Sequence, residues 1–303
     1  MKVAIVGDLA VDMLSHDRWA VAAGSSLILK DVNLLPGGVA GNMGWILHQL
    51  SVQPMIFSAV GKDYWGKVVR SGLRRGGLST SHIAIRNETT GFFVIVVSPD
   101  GQRTMIGTRG ANAKVRVTSQ ILRAVRPDWI HVSGYSLLGE QGERLLLQAK
   151  SASRVLGVPL SIDLEGVSET GIRPDLNGVE VLCDQMEYDD YFRSEMTRVA
   201  VSNREPIVVK AGAEGCYLIH AGHLRRIPAA KVEVRDTTGA GDAFNAGYVS
   251  VRMMGGGLTT ACEAGNLLGS EKVQHEGARL TLTRALRERV LGLGRSQATG
   301  RPS

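Results

Sequence analysis

One segment organises the interpretation of the whole chain: residues 236–248, with the sequence DTTGAGDAFNAGY. Gly239 and Gly241 stand directly before apolar residues at helical spacing, which predicts a glycine-rich turn that opens a helix. The first N–H groups of a helix are unpaired and lie at the positive end of its dipole, so they favour phosphate or a developing anion. Asp242 lies in this first turn, where a carboxylate either complements the dipole or acts as a base beside the anion.

A second glycine-rich turn precedes another predicted helix, at residues 36–42 with the sequence PGGVAGN. Apolar residues follow it at helical spacing, from Met43 to Leu50. A glycine pair is by itself only a sign of a turn. Asn42, however, stands at the predicted helix start, where its amide either caps the helix or bonds sugar hydroxyls.

The composition of the 303 residues is that of a globular protein, with 44% hydrophobic and 21% charged residues. The net charge of +6 comes from scattered basic residues, which suits small phosphate-bearing ligands and argues against nucleic acid as a partner. Three well-separated cysteines form no CxxC pair, so we expect no disulfide framework and no zinc site. The chain shows no signal-peptide core and no apolar run of about 18 residues, so we expect a cytoplasmic protein without a membrane partner.

The remaining pattern is that of an α/β protein. Residues 3–6 form a buried strand that ends at Gly7, but neither GxGxxG nor GxxxxGK[ST] occurs, which argues against a Rossmann oxidoreductase. Asp8 and Asp12 follow this strand, and each either caps a turn or faces a ligand at the carboxyl end of the sheet. Further strands alternate with helices and predict a mainly parallel sheet, at residues 54–60, 129–132, 159–163, 180–182 and 207–210.

Residues 81–107 break this alternation, because consecutive strands follow one another without helices. We predict an antiparallel sheet standing apart from the main one, with strands around Ile83–Ile85, 92–97 and 105–106, a hairpin turn at residues 99–101 and an additional strand within 27–34. A sheet of this kind is suited to cover a substrate.

On these residues the chain resembles the ribokinase, or PfkB, family of carbohydrate and nucleoside kinases. The resemblance rests on residues 37–42 with Gly61 and Gly66 downstream, and on residues 236–248, and it spans essentially the whole chain. It implies one three-layer α/β/α domain over residues 1–303, with a mainly parallel central sheet and a small antiparallel β flap from about 20–35 and 81–110. It also implies a homodimer, because such flaps often pair and these strands are rich in apolar residues.

The resemblance also implies roles for individual residues. Asp242 matches the catalytic base, and Gly239, Ala240 and Gly241 match the anion hole that holds the transferred phosphoryl group. The sugar or nucleoside is expected to bind at Asp12, Gly37, Gly38 and Asn42. ATP is expected to bind at Lys210, Gly212, Gly215 and Asn266. Asp236 and Thr238 resemble a monovalent-cation site for K⁺, which would need backbone carbonyls from residues 275–278.

Two positions depart from the family pattern. Many members carry Asn-x-x-Glu near the magnesium ion, whereas this chain has Asp184 and Glu187. A second carboxylate strengthens Mg²⁺ association through water and repels phosphate more. Val39 stands where a lysine is often found, which favours a neutral sugar or nucleoside over a sugar phosphate. The alternative function is a non-catalytic sugar or nucleotide sensor on the same fold, which would require a damaged base or anion hole.

Overall fold

The structure is a computed structural model that describes residues 1–17, 24, 26–29, 31–98, 103–139, 141–167, 172–202 and 204–295. Its strands in chain order are β1 (Lys2–Val6), β2 (Ala10–His16), β3 (Asn33–Gly37), β4 (Gln53–Gly61), β5 (Ile83–Arg86), β6 (Gly91–Val97), β7 (Arg103–Thr108), β8 (Trp129–Ser133), β9 (Leu160–Asp163), β10 (Glu180–Asp184), β11 (Ile207–Lys210), β12 (Cys216–His220) and β13 (His223–Ile227). Its α-helices are α1 (Val39–Gln49), α2 (Tyr64–Arg75), α3 (Ser119–Val125), α4 (Gly142–Leu156), α5 (Gln185–Phe192), α6 (Met196–Ser202), α7 (Ala240–Met253), α8 (Leu258–Lys272) and α9 (Arg284–Arg295).

The main sheet has nine strands in the order β13-β12-β11-β10-β9-β8-β1-β4-β5. The seven strands from β11 to β5 in this order run parallel, and β12 and β13 add an antiparallel hairpin at one edge. Alternate residues of β1 enter two separate cores: Val3 and Ile5 pack with α1, α7, α8 and α9, whereas Ala4 and Val6 pack with α3 and α4. Because both faces are covered by helices, β1 is apolar at successive positions. The predicted three-layer fold is therefore confirmed.

A second sheet of four strands, in the order β3-β2-β6-β7, forms the flap. β2 pairs antiparallel with β3 and parallel with β6, and β6 pairs antiparallel with β7. Its small core is made by Leu14, Ile95 and Val97. Four connections join the flap to the main sheet. None of the helices in the described ranges is long and apolar enough to cross a membrane.

The predicted flap was wrong at one strand. Ile83–Arg86 pairs parallel with β4 at the edge of the main sheet, with Ser58 opposite Ile83. Only Ile83 of this strand is fully buried, and Ile85 is 48% exposed. An edge strand with one covered position has the same local pattern as a flap strand, so its partner is set by tertiary contacts.

The flap also contains a strand that the sequence did not indicate. Residues 10–16 contain Asp12, Ser15 and His16 among apolar residues, and the sequence analysis predicts no strand there. Pairing with β3 on one side and β6 on the other makes them β2. The additional strand expected within 27–34 begins only at Asn33, and residues 26–29 have no regular structure. The predicted hairpin turn at residues 99–101 lies outside the described residues.

Candidate active site

The two glycine-rich turns meet in space at the amino ends of α1 and α7. Asn42 in the first turn of α1 donates a hydrogen bond from Nδ2 to Oδ2 of Asp242, at 2.8 Å, across 200 residues of sequence. Both side chains are buried, with 3% and 7% of their surface exposed. The positive ends of two helix dipoles and one buried carboxylate therefore share a single site.

Glycine is required at the residues that open these helices. Gly38 and Gly239 have φ angles of +86° and +77°, which favour glycine over residues with a side chain. A Cβ on Gly38 would lie 2.5 Å from the carbonyl oxygen of Asp8, and one on Gly239 would overlap the carbonyl of Ala278. The backbone in each turn is thus packed against another loop, which fixes where its N–H groups point.

Asp12 occupies the flap side of this site. It lies on β2 opposite Leu35 and Phe93, and it is 6% exposed. Its carboxylate packs so closely on Gly37 that a Cβ on that glycine would overlap it. The structure thereby brings together the four residues at which the family resemblance leads us to expect the acceptor: Asp12, Gly37, Gly38 and Asn42.

Asp8, the other acidic residue after β1, has a structural partner. Arg109 donates from Nε and Nη2 to the two carboxylate oxygens of Asp8, at 2.7 and 2.8 Å. This part-buried, bidentate ion pair joins the connection before β2 to the one after β7, at the base of the flap. Arg109 therefore neutralises the charge of Asp8.

Arg279 is a cation in the acceptor half that the sequence analysis did not identify. Its guanidinium stacks 5.6 Å from the ring centroid of Trp45, and its Nη2 lies 3.1 Å from the position that a Cβ would take on Gly41. Burial lowers the pKa of Arg279 to about 10, although the negative charge of Asp12 raises it. Nε and Nη2 are buried without a hydrogen-bond partner among the described residues.

Lys210 connects the acceptor half with the opposite side of the site. It ends β11, and its Nζ lies 3.4 Å from the position that a Cβ would take on Gly241. Nζ donates a 2.5 Å hydrogen bond to Oδ2 of Asp163. Burial by itself lowers the pKa of Lys210, but Asp163, Glu187 and Glu165 raise it above its ordinary value, so the ammonium is charged.

Asp163 holds Lys210 and α7 in one arrangement. It ends β9, is fully buried, and accepts a second hydrogen bond of 2.5 Å from Nδ2 of Asn245, one helical turn after Asp242. The sequence showed only that this strand ends in a polar residue, which is a weak signal. Nearby, Ser133 donates to Glu165, whose pKa is raised well above its ordinary value by burial and by the charges of Asp163 and Asp242.

A wide pocket of about 560 Å³ opens beyond Lys210. Its walls carry both signs of charge, from Lys210 on one side and Asp184 and Glu214 on the other. Gly212 begins the 3-10 turn next to this pocket, and the space beside the Cα atom of Gly212 is open. Gly215, in contrast, packs against the backbone of Ile227. Of these two glycines, Gly212 is thus the one that a phosphate group can approach.

Asn266 on α8 lies farther along the same side. Its Nδ2 donates to the carbonyl oxygens of Ile227 and Pro228, at 2.9 and 3.3 Å. The amide nitrogen therefore ties α8 to the end of β13. A contact between Asn266 and the nucleotide stays a prediction.

Asp184 and Glu187 form a capping box at the start of α5. Oδ1 of Asp184 accepts from the backbone N–H of Glu187, and Oε2 of Glu187 accepts from that of Asp184, both at 2.8 Å. Burial, with the charges of Asp163 and Asp184, raises the pKa of Glu187 to about 7, against the lowering effect of Lys210. Within the described ranges no three acidic, histidine or cysteine side chains cluster as metal ligands.

Asp236 and Thr238 lie in a loop that is internally bonded. The two carboxylate oxygens of Asp236 accept the backbone N–H groups of Thr238 and Gly277, at 2.8 and 2.7 Å. The fully buried Lys272 donates from Nζ to the carbonyl oxygens of Asp236 and His275, at 3.0 and 2.9 Å. The loop that the sequence linked to a cation thus already contains an ammonium group.

Two helix amino ends facing a buried carboxylate beneath a β flap define a phosphotransferase site, and comparison with known proteins gives its family. The model of the pfkB family of carbohydrate kinases matches residues 1–183 and 193–285. The chain belongs to this family and is an enzyme that transfers a phosphoryl group to an alcohol.

Named relatives differ in their acceptors. The chain is 28% identical to 2-dehydro-3-deoxygluconokinase of Dickeya dadantii over 74% of this chain and 82% of that protein. It is 24% identical to aminoimidazole riboside kinase of Salmonella typhimurium over 82% and 80%. Among solved structures, Arabidopsis thaliana ribokinase complexed with ribose and ATP is similar in fold, with a TM-score of 0.78 and 20% identity over 96% of this chain and 98% of the other.

Proposed function

We propose that the protein transfers the γ-phosphoryl group of ATP to a hydroxyl of a small sugar or ribonucleoside, with Asp242 as the general base. The observation that carries this proposal is the hydrogen bond between Asn42 and Asp242 at the meeting point of two helix amino ends. A carboxylate merely complementing a dipole has no need to be buried against a second helix start.

In the proposed reaction the acceptor oxygen forms a bond to the γ-phosphorus while the bond between that phosphorus and the β–γ bridging oxygen breaks. Asp242 takes the proton of the acceptor hydroxyl, and ADP leaves with the bridging oxygen. Asn42 fixes the orientation of the Asp242 carboxylate. Backbone N–H groups of Gly239, Ala240 and Gly241 stabilise the charge on the transferred group.

Lys210 supplies a fixed positive charge between the anion hole and the wide pocket. Its distance from Gly241 and its bond to Asp163 support a role in holding the phosphates of ATP. Gly212 and Asn266 remain proposed nucleotide contacts. When bound, Mg²⁺ would neutralise phosphate charge, with Asp184 and Glu187 holding its water ligands.

The acceptor half supports two classes of acceptor. Val39 and the buried Asp12 favour a neutral sugar or nucleoside, because a carboxylate bonds hydroxyl groups and repels an anion. Arg279 favours a sugar acid as the second candidate. Its Nε and Nη2 form the same edge with which Arg109 holds both oxygens of Asp8, and in Arg279 that edge has no partner in the described part of the chain.

A coupled assay of ADP release tests the proposal, using ATP and Mg²⁺ with pentoses, hexoses, ribonucleosides and sugar acids as separate arms. We expect turnover with one class and only background ADP release without acceptor. Turnover confined to sugar acids would favour the second candidate. Acceptor and ATP binding by calorimetry without any turnover would replace the kinase by the sensor on the same fold.

We also propose that the protein is a homodimer in which two flaps meet. The outer strands of the flap expose Leu34, Met105 and Ile106, at 49%, 40% and 58%. An apolar surface of this kind on a small sheet is typical of a contact surface.

A further inference from the structure

The loop that carries Asp236 is suited in part to a monovalent cation. Backbone carbonyl oxygens converge there from Asp236 and His275, and the Asp236 carboxylate is fully buried next to them. A buried carboxylate needs a compensating positive charge or a complete set of hydrogen bonds. The question is which positive group supplies it.

The residues present do not fit a separate K⁺. The carbonyl oxygens of Asp236 and His275 already accept hydrogen bonds from Nζ of Lys272, at 3.0 and 2.9 Å. The two carboxylate oxygens of Asp236 accept N–H groups of Thr238 and Gly277. Lys272 is fully buried, and its ammonium has the single positive charge and the affinity for carbonyl oxygens that a monovalent cation would have.

We infer that the Lys272 ammonium is a built-in replacement for the monovalent cation, so that the enzyme works without K⁺. Nζ joins the loop before α7 to the loop after α8, and Gly239 of the anion hole packs against the second loop through Ala278. Lys272 is thus a positioning residue for the glycine turn. The inference rests on the proposed function only in that this turn is the proposed anion hole.

The first test uses the unmodified protein in a buffer whose only small cations are choline and Mg²⁺. KCl or NH₄Cl then replaces choline chloride at constant ionic strength. We expect kcat to change by less than about twofold and the melting temperature by less than about 1 °C, because a site that binds no ion gains no stability from it. A several-fold activation by K⁺, or a saturable rise in melting temperature, would overturn the inference.

The second test compares Lys272→Ala with Lys272→Met. The alanine variant removes the charge and leaves room beside the two carbonyl oxygens, so K⁺ or NH₄⁺ should raise its melting temperature and restore part of its lost kcat. The methionine variant fills the same volume without a charge, so neither K⁺ nor NH₄⁺ should restore its melting temperature or its kcat. Full activity of Lys272→Ala in choline would overturn the inference.

The melting temperatures keep this inference separate from the proposed function. If no acceptor class gives turnover, the proposed reaction fails, but the melting temperatures of the unmodified protein with and without K⁺ still decide whether the site takes an ion. If Lys272→Ala does not fold, the same measurement on the unmodified protein decides alone.

Discussion

At the scale of single residues, Asp242 distinguishes a catalytic site from an ordinary helix start. Asp242→Asn keeps the size and the hydrogen-bonding capacity of the side chain but removes the base. We expect kcat to fall by about 10²–10⁴-fold, because an amide cannot take the proton of the acceptor. ATP binding should be equal or slightly tighter, since a negative charge near the phosphates is lost.

Glu143→Gln is the matched control for Asp242→Asn. Glu143 is an exposed acidic residue in the first turn of α4, so its loss should change stability by about 0.3–1 kcal/mol and leave kcat unchanged. Steady-state kinetics and melting curves on both variants make the comparison. Near-normal turnover of Asp242→Asn with a lowered melting temperature would return Asp242 to a purely structural role.

Asp12→Ala tests the acceptor side of the site. Loss of a charge-assisted hydrogen bond should weaken acceptor binding by about ten- to a hundredfold and leave the affinity for ATP unchanged. Titration calorimetry with each ligand measures both. Asp128→Ala serves as control, since this exposed aspartate lies at the amino end of β8, whereas Asp12 lies beyond the carboxyl end of the neighbouring strand β1. Weakened ATP binding with intact acceptor binding would assign Asp12 to the nucleotide half.

At the scale of secondary-structure elements, the start of α7 depends on one glycine. Gly239→Ala places a Cβ in overlap with the carbonyl of Ala278 and in a positive-φ conformation, so both stability and kcat should fall. Gly222→Ala shares the positive φ, at +81°, but has open space around it in the turn between β12 and β13. It should lose only about 1–2 kcal/mol of stability and no activity. Equal kcat values for the two variants would show that the turn tolerates displacement.

Glu187, in the capping box of α5, predicts that the stability of the protein depends on pH. The pKa of Glu187 is raised to about 7 in the folded chain, so the folded state binds this proton more tightly than the unfolded chain does. Tighter proton binding by Glu187 therefore adds to the free energy of unfolding. This contribution is fully present below the pKa that Glu187 has in the unfolded chain. It is lost as the pH rises to about 7, at no more than about 1.4 kcal/mol per pH unit. Glu187→Gln should lack this loss.

Denaturant unfolding from pH 4.5 to 7.5 measures this effect as a difference. The stability of Glu187→Gln relative to the unmodified protein should rise with pH over this range, while that of the exposed-residue control Glu143→Gln should stay flat. A flat difference for Glu187→Gln would mean that the carboxyl ionises as it does in water.

At the scale of the whole molecule, the exposed apolar strands of the flap predict a dimer. Sedimentation at micromolar concentration should show a dimer for the unmodified protein and a monomer for Ile106→Lys, because burying an unpaired lysine opposes association. Leu147→Lys is the control, since Leu147 is 61% exposed on α4, away from the flap, and should leave the dimer intact. A monomeric unmodified protein would remove the dimer proposal.

Local sequence patterns were enough to predict the parallel sheet, both glycine-rich helix starts and the residues at them. Each of these signals is local: an apolar run, a helical period, or a glycine at a position where the backbone needs a positive φ. Asp242, Gly239 and Asn42 were identified as candidates in this way, whereas Lys210 was implied by the family resemblance. Local patterns also predict the order of helices and strands along the chain, and this order limits the possible arrangements of strands in the sheet.

Contacts between residues far apart in the chain could not be predicted from local patterns. Ile83–Arg86 joined the main sheet and residues 10–16 joined the flap, because strand pairing depends on neighbours that spacing does not show. Asp163, Arg279 and Lys272 have no local signature either. Each of these side chains is buried next to a charge or a carbonyl group that another helix, strand or loop contributes. The energy of a buried charge depends on such neighbouring groups.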